Sequence, residues 1–305
     1  FNALNFHPDH ILVSDMLDLT TFLAITREKT ANIPCSIYFH ENQFAYHQKE
    51  KKEDRRDMHY KFINYASARV ADRLIFNSAF NLNSFFEGLE TFLNAFPAPN
   101  ETASIQRLKE KSTVLYPGVD FEPFDKIKVN RTGPAVILWN HRWEHDKNPE
   151  TFFKILEELK NEGLNFQLIV TGQSYKNKPH CFDKALNIFS DRLIHFGYAE
   201  SKQQYAELVS CSDIIPVTSN HDFFGISVVE ALYTDTYPLM PNRQAYPEHV
   251  PFQNRHLFIY DGYEELKTRL RNLILQIDET RKIKTKVFVE QYDWKRYIDD
   301  ALFPF

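Results

Sequence analysis

Cysteine is scarce in this 305-residue chain: Cys35, Cys181 and Cys211 are all it has, an odd number and widely spaced. That is poor material for a disulfide framework or a zinc cluster, and it points to a reducing, cytoplasmic setting. No run approaches the roughly 20 consecutive apolar residues of a membrane-spanning helix, which excludes a bilayer span in the sequence given. An excess of positive charge is missing too. The net charge of −5 argues against a surface coated in positive potential for indiscriminate nucleic-acid binding, while leaving room for a local basic patch. Internal repeats and low-complexity tracts are absent. The chain starts at Phe1 rather than Met and enters a strand-like run almost at once, so it reads as a chain lacking its beginning.

What is present is the composition of a folded protein, 43% hydrophobic and 25% charged, over a length that fits two domains. Short β-rich runs alternate with longer helical patterns: Ile11 to Ser14, Ser36 to Phe39, Arg73 to Asn77 and Ser112 to Tyr116, then Ala135 to Trp139, Phe166 to Thr171, Leu193 to Phe196 and Ile214 to Thr218. This alternation predicts an α/β fold with two doubly wound, parallel sheets. The pattern restarts at a polar stretch from Lys128 to Pro134, which places a Rossmann-like domain over 1–128, with an incomplete start, and a second over 129–285. In such sheets ligands bind beyond the carboxyl ends of the strands. Chemistry is therefore expected at Phe39 to Gln43, Asn140 to Lys147, Gly172, Gly197-Tyr198 and Asn220 to Gly225.

Two of these places carry charge suited to a diphosphate. Asn220-His221-Asp222-Phe223-Phe224-Gly225 leads into Ile226-Ser227-Val228-Val229-Glu230, the start of a helix. Glycine at a helix mouth lets backbone N–H groups approach an anion, and the helix N-terminus favours negative charge. Glu230 lies about a turn and a half into that helix, within reach of ribose hydroxyls, while Asp222 precedes the turn at the sugar end. After the strand ending at Trp139, the loop Asn140-His141-Arg142-Trp143-Glu144-His145-Asp146-Lys147 supplies two cations, Arg142 and Lys147. A planar fork and a point charge suit neutralisation of a leaving diphosphate. Tyr198, after Gly197 at a strand end, is a candidate neighbour of the base; Trp139, Trp143 and Phe224 read as packing side chains. His40-Glu41 is not the start of a His-Glu-x-x-His zinc motif, because Phe44 stands where the second histidine would be.

Arg142, Lys147, Asp222 and Glu230, with Tyr116-Pro117-Gly118-Val119-Asp120 before the linker, resemble the donor site of GT4-like retaining glycosyltransferases. Closer still, His40-Glu41-Asn42-Gln43, His141 to Lys147 and Phe223-Phe224-Gly225 are similar to the tRNA-queuosine mannosyltransferase family, and the likeness covers nearly the whole chain. The resemblance implies a GT-B fold, two Rossmann-like domains facing across a cleft, with a C-terminal helix over 286–305 returning to the first. It implies transfer of a sugar with retention, mannose from GDP-mannose, onto queuosine in tRNA. It makes His40, Asp222, Arg142 and Lys147 the catalytic set, His40 being the contact near the reacting carbon. Donor contacts then come from Arg142, Lys147, Tyr198, Asp222, Phe223, Phe224, Gly225, Ile226 and Glu230, and the acceptor side from His40, Glu41, Asn42 and Gln43. No cofactor is implied, and the absence of Asp-x-Asp fits metal-independent chemistry in which Arg142 and Lys147 take the cation's place. One departure stands out: the broader family has Glu where this chain has Asp222, one methylene shorter. Trp294 matches the family's last helices and reads as a core anchor.

A charged run, Lys49 to His59, adds a candidate acceptor surface. As a helix it sets Lys52, Arg55, Arg56 and His59 at i, i+3, i+4 and i+7 on one face, with the acids on a largely different one. That is a cationic stripe of the kind a phosphate backbone needs, against the plainer reading of a solvated helix. Two rival readings share every donor feature: a GT4-like enzyme with a saccharide or lipid acceptor, and a non-catalytic nucleotide-sugar-binding protein.

Overall fold

The computed structural model describes residues 8–45, 55–95 and 102–299. The chain forms two compact units, the first ending at Pro117 and the second beginning at Gly118. In the first, β1 (Ile11–Ser14), β2 (Cys35–Phe39), β3 (Arg73–Phe76) and β4 (Ser112–Val114) form a parallel sheet in the order β1-β2-β3-β4. In the second, β5 (Ala135–Trp139), β6 (Phe166–Thr171), β7 (Leu193–Gly197), β8 (Ile214–Pro216), β9 (Tyr237–Pro241) and β10 (Ile259–Tyr260) form a parallel sheet in the order β10-β9-β8-β5-β6-β7. Every strand run read from the sequence is present, and the doubly wound α/β class with it.

The central strands of the second sheet are apolar along nearly their whole length because helices cover both faces of a parallel sheet. All five residues of β5 are buried, and β6 exposes only Gln167 in part. The helix Pro149–Asn161 shows how the covering layer is specified. Asn148 sits at φ 51° and its side chain accepts from the Thr151 N–H, Pro149 occupies the first helical position where no N–H is needed, and Phe152, Phe153, Leu156 and Leu159 turn inward. In the first unit Phe39, Phe76 and Phe85 lie with ring centroids 4.7 to 5.3 Å apart. Burying each such ring is worth about 1.5–3 kcal/mol, so the aromatic cluster dominates that core.

Two strands were not expected, β9 and β10. The first carries Pro238 and Pro241, which ordinarily mark a segment as non-strand. Tyr237 and Leu239 bond toward β8, so Pro238 faces β10, where pairing begins only at Met240 and no ladder donor is lost. β10 is two residues long, below what a pattern can reveal.

The polar stretch that reads as a linker is bolted to the second unit. Arg131 donates to the carbonyls of Ser210, Thr234 and Asp235 at 2.7 to 3.0 Å, capping the last turns of two helices, where such donors are favourable. Phe121 stacks on Tyr233 at 3.7 Å. At the other end of the unit, Val119 pairs with Asp293 and Trp294 lies over Gly118, where a Cβ would come within 2.2 Å of the indole. Trp294 is 47% exposed, a cover on Gly118 rather than the core anchor expected of it. No helix among the described residues is long and apolar enough to cross a membrane.

Candidate active site

Strand order in the second sheet reverses between β5 and β8. The connections from these two strands leave in opposite directions, opening a crevice beyond their carboxyl ends, the place where doubly wound sheets bind ligands. The loops that line it are Asn140 to Lys147 after β5 and Ser219 to Gly225 after β8. They are tied together: the Thr218 hydroxyl donates to the carbonyls of Lys147 and Asn148 at 3.0 Å, and the Asn220 N–H to that of Asp146 at 2.7 Å. Arg243 donates to the carbonyls of Thr218 and Ser219 at 2.9 to 3.0 Å, bracing the same turn from behind.

Gly225 starts the helix Ile226–Tyr233 at φ 87°, with no side-chain cap on the first turn among the described residues. A larger residue would be strained there and would press its Cβ to 3.0 Å from the Tyr246 ring. The first N–H groups of an uncapped helix need a partner from solvent or a ligand, and an anion is the natural one. Phe223 and Phe224 anchor this turn from below: both side chains are buried, and the Phe224 carbonyl lies 2.6 Å from Nε2 of buried His249.

On one side of the helix start stands Asp222. Its Oδ2 meets the Lys147 ammonium at 3.3 Å and the Tyr246 hydroxyl at 3.2 Å. Burial pushes the carboxyl upward, but the Lys147 charge and the hydrogen bonds from Lys147 and Tyr246 outweigh it and hold the acid below the ordinary carboxylate range. Lys147 is 7% exposed and also contacts the His221 carbonyl at 2.7 Å and Asp146 at 3.2 Å, so it is a buried, clasped cation. Arg142 is the opposite, half exposed, its ion pair among the described residues being with Glu144 at 3.2 Å.

On the other side stands Glu230, half-buried, with Oε2 accepting from Tyr205 at 2.6 Å. Desolvation raises its carboxyl to about 7, against the lowering effect of the Tyr205 hydrogen bond. Asn140 donates to the Tyr205 hydroxyl at 3.1 Å and to the Ser227 carbonyl at 2.8 Å. Asp222, Lys147, Gly225, Ile226 and Glu230 are thus gathered around one helix start. Tyr198 follows β7 at 70% exposure, with nothing among the described residues linking it to that cluster. A polar hollow of about 440 Å³ lined by Phe124, Arg131, Tyr233 and Lys284 lies at the amino ends of the strands, away from this chemistry.

In the first unit, His40 sits at the carboxyl end of β2. Buried Asp15, just past β1, accepts from its backbone N–H at 3.0 Å and faces its Nδ1 at 3.4 Å; Asn77, just past β3, donates to its carbonyl at 2.7 Å. The ring is 63% exposed, so the main chain is fixed while the imidazole is presented outward. Asn42, by contrast, is wholly buried: its amide donates to Asn81 and Ser84, and its oxygen accepts from the N–H groups of Phe44 and Ala45. It shapes the loop. Glu41 and Gln43 are half-buried, with the Gln43 N–H bonded to Asn64. Lys49 to Asp54 lie outside the described residues; the helix Arg55–Val70 begins at Arg55, and the side chains of Arg55 and Arg56 are likewise outside what is described.

Pattern reading missed Tyr205 and Tyr246, and it placed Asn140 and His141 in a loop expected to carry chemistry without giving either a role. Asn140 and His141 carried a signal, their place at the carboxyl end of the strand beside the switch point. Tyr205 and Tyr246 carried none, because each reaches the site from a distant helix.

Comparison with known proteins places this geometry. Residues 1–119 match the sequence profile of the tRNA-queuosine alpha-mannosyltransferase N-terminal family, and residues 120–287 that of the glycosyl transferases group 1. The tRNA-queuosine alpha-mannosyltransferase of Drosophila melanogaster is 31% identical over 303 residues, covering 96% of this chain and 78% of that protein. A GDP-mannose:cellobiosyl-diphosphopolyprenol alpha-mannosyltransferase of Xanthomonas oryzae is 22% identical over 197 residues, 61% of this chain and 51% of that one. Among solved structures, HepE of Anabaena in complex with UDP aligns with a TM-score of 0.64 at 13% identity, covering 96% of this chain and 78% of its own. A sucrose-phosphate synthase of Thermosynechococcus elongatus gives 0.68 at 13%, covering 98% and 75%. The structural likenesses carry the GT-B fold alone.

Proposed function

The chain belongs to the tRNA-queuosine alpha-mannosyltransferase family and is a glycosyltransferase of group 1, and from that premise we propose that it moves mannose from GDP-mannose onto queuosine in tRNA with retention of configuration. The observation that carries the donor half is the pair of acids, Asp222 and Glu230, bracketing an uncapped helix start beside Lys147 at the switch point. The helix N-terminus and Arg142 receive the diphosphate, Glu230 the ribose hydroxyls and Asp222 the sugar hydroxyls. Mannose is favoured by the names of the Drosophila and Xanthomonas relatives and GDP by that of the Xanthomonas one; queuosine in tRNA is favoured by the Drosophila relative and by the match over the first unit.

The chemistry that suits this arrangement is front-face displacement. The bond between the sugar anomeric carbon and the phosphate oxygen breaks, and an acceptor hydroxyl bonds to that carbon on the same face. Its proton passes to the departing phosphate oxygen. The diphosphate is its own base, and the protein's contribution is to hold charge: cations and backbone dipoles aimed where it develops are worth several kcal/mol. Arg142 and Lys147 fill the role a metal has elsewhere, and His40 contacts the sugar near the reacting carbon. A tRNA substrate and a chain with three free cysteines fit a cytoplasmic enzyme.

Two measurements test this. A thermal-shift panel of nucleoside diphosphates and their sugars should single out GDP and GDP-mannose, since a true donor stabilises in proportion to the logarithm of its concentration over Kd. Incubation of GDP-mannose with tRNA bearing queuosine, followed by nucleoside mass analysis, should yield mannosyl-queuosine. Stabilisation by GDP-mannose without transfer to that tRNA would leave a donor site with a different acceptor.

A further inference from the structure

Asn140 and His141 are consecutive, both at least nine-tenths buried, and both grip the first turn of the helix Ile226–Tyr233 through Ser227. The Asn140 amide donates to the Ser227 carbonyl at 2.8 Å, and His141 Nδ1 lies 3.0 Å from the Ser227 hydroxyl. Each is left with one buried polar atom that has no hydrogen-bond partner among the described residues, Asn140 Oδ1 and His141 Nε2. Leaving such an atom unsatisfied is costly, and a clustered pair of them at a ligand crevice is more readily explained by a ligand than by the fold.

The backbone around His141 is fixed to unusual tolerance. The Trp139 indole N–H donates to its carbonyl at 3.0 Å, and Gly172, at φ 153°, approaches so closely that a Cβ there would fall 2.0 Å from that carbonyl oxygen. The ring lies among Lys147, Asp222 and Asp146. Its burial lowers its pKa to about 4, with Lys147 adding to the effect, so the imidazole is neutral and has one N–H. With the Ser227 hydroxyl donating to Nδ1, that N–H is on Nε2.

We propose that His141 is a donor-binding residue whose Nε2–H donates to an oxygen of the diphosphate seated on the start of the helix Ile226–Tyr233. The inference rests on the nucleotide-sugar reading above. Of the two open atoms, a diphosphate, which offers only acceptors, suits the His141 N–H beside the helix N-terminus and not the Asn140 amide oxygen. A neutral donor adds a hydrogen bond to an anion without introducing another buried charge.

Calorimetric titration of GDP and GDP-mannose into three variants tests it. His141→Asn keeps an atom near Nδ1 for Ser227 and loses Nε2; His141→Gln places an amide N–H near Nε2 and loses the Ser227 contact; His141→Phe keeps a ring and loses both nitrogens. Melting temperatures of the unliganded variants verify the fold. His141→Asn and His141→Phe should each weaken GDP about 10- to 100-fold, as expected for a hydrogen bond to a charged partner, while His141→Gln stays near wild type. The reverse order, Asn spared and Gln weakened, would assign His141 to bracing Ser227 and overturn the proposal. So would GDP binding unchanged in all three, or a loss confined to GDP-mannose, which would put Nε2 on the sugar. If the wild-type protein itself binds no nucleoside diphosphate, the donor reading fails first and this inference falls with it.

Discussion

The hydroxyl of Tyr205 donates to Oε2 of Glu230 at 2.6 Å across two different helices, so the acid that would face the ribose has one oxygen committed to the protein. Asn140 completes the relay by donating to the same hydroxyl. Tyr205 is held far above the ordinary tyrosine value, first by desolvation and then by the neighbouring acid. It cannot ionise and serves only as a donor. Tyr205→Phe should therefore release Oε2 and let the carboxylate rotate, weakening GDP binding while leaving the sugar end untouched. Glu230→Gln should weaken GDP more, because the ribose contact exists already in the ground state. If Glu230→Gln lowers kcat alone, with nucleotide affinity unchanged, the ribose role is wrong.

A pH dependence follows from the same pair. Burial raises Glu230 from 4.5 to about 7, so between those values the folded protein binds more protons at this group than the unfolded chain does. Its contribution to stability is present at low pH and declines as pH rises through that window. His141 and His249, depressed by burial from 6.5 to about 4, act in the opposite sense, adding stability as pH rises between about 4 and 6.5. The sum hides the glutamate, but the variant isolates it. Relative to wild type, Glu230→Gln should gain stability steadily from pH 5 to 7 and hold level above that. Urea unfolding at several pH values would measure the gap, and a gap independent of pH would refute the assignment.

The outline of both sheets was legible because strands buried on two faces announce themselves as apolar runs, as Ala135 to Trp139 does. The proposed donor site was legible to the extent that it is local: Asp222, Gly225 and Glu230 lie on one strand-to-helix connection, and Arg142 and Lys147 on another. What was not legible is what the chain brings from afar. Tyr205 and Tyr246 lie in segments with no mark of chemistry, and their roles exist only because their hydroxyls end at Glu230 and Asp222. Lys147 read as a loop cation for a diphosphate, and what the pattern did not reveal is that the fold turns it inward onto Asp146, Asp222 and the His221 carbonyl. Strand β9 was hidden by its prolines, whose harmlessness depends on where β10 begins.

The two cations should separate in their effects. Losing one charge-assisted contact to the diphosphate costs about 2.7–4 kcal/mol of transition-state stabilisation, about 10²–10³ in rate. Arg142→Ala should show that loss with an unchanged melting temperature, since Arg142 is exposed and its ion pair with Glu144 is superficial. Lys147→Ala should lose turnover comparably and also melt earlier, because Asp222 and Asp146 would be left without their shared counter-ion. Near-normal turnover in either variant would remove that residue from the donor site.

Asp222 tests the departure from the broader family. Its carboxylate is held by Lys147 and by Tyr246, and both can follow a small displacement. Asp222→Glu restores the longer acid and should keep activity, whereas Asp222→Ala should lose it through missing hydrogen bonds to the sugar. Steady-state transfer assays on the two variants decide the matter. An active Asp222→Ala would move the sugar contact elsewhere.

The last prediction concerns the acceptor and rests on the charged segment that leads into the helix Arg55–Val70. Arg55, Arg56 and His59 continue the spacing that begins at Lys52, and helical backbone from Arg55 onward is the geometry that spacing needs to put them on a common face. Just beyond, Tyr60 and Phe62 are 48% and 54% exposed, unusual for large aromatics and suited to stacking on unpaired bases. Cations that track phosphates beside rings that receive bases are the combination a tRNA anticodon loop would engage. Each phosphate neutralised releases counter-ions, so log affinity falls with log salt in proportion to the number of contacts, by about 0.7 to 0.9 per phosphate. Reversing Lys52, Arg55 and Arg56 together to Glu should thus weaken tRNA binding and lower the magnitude of the salt slope by on the order of 2 to 3. GDP and GDP-mannose affinity should not change, because Lys52, Arg55 and Arg56 are not among the proposed donor contacts. Filter binding of tRNA over a range of salt concentrations, with calorimetry for the nucleotide, separates the outcomes. Wild-type tRNA affinity and slope in the triple variant would show that this face is not the tRNA platform, and a parallel fall in GDP affinity would mean that the substitutions had disturbed the fold rather than an acceptor surface.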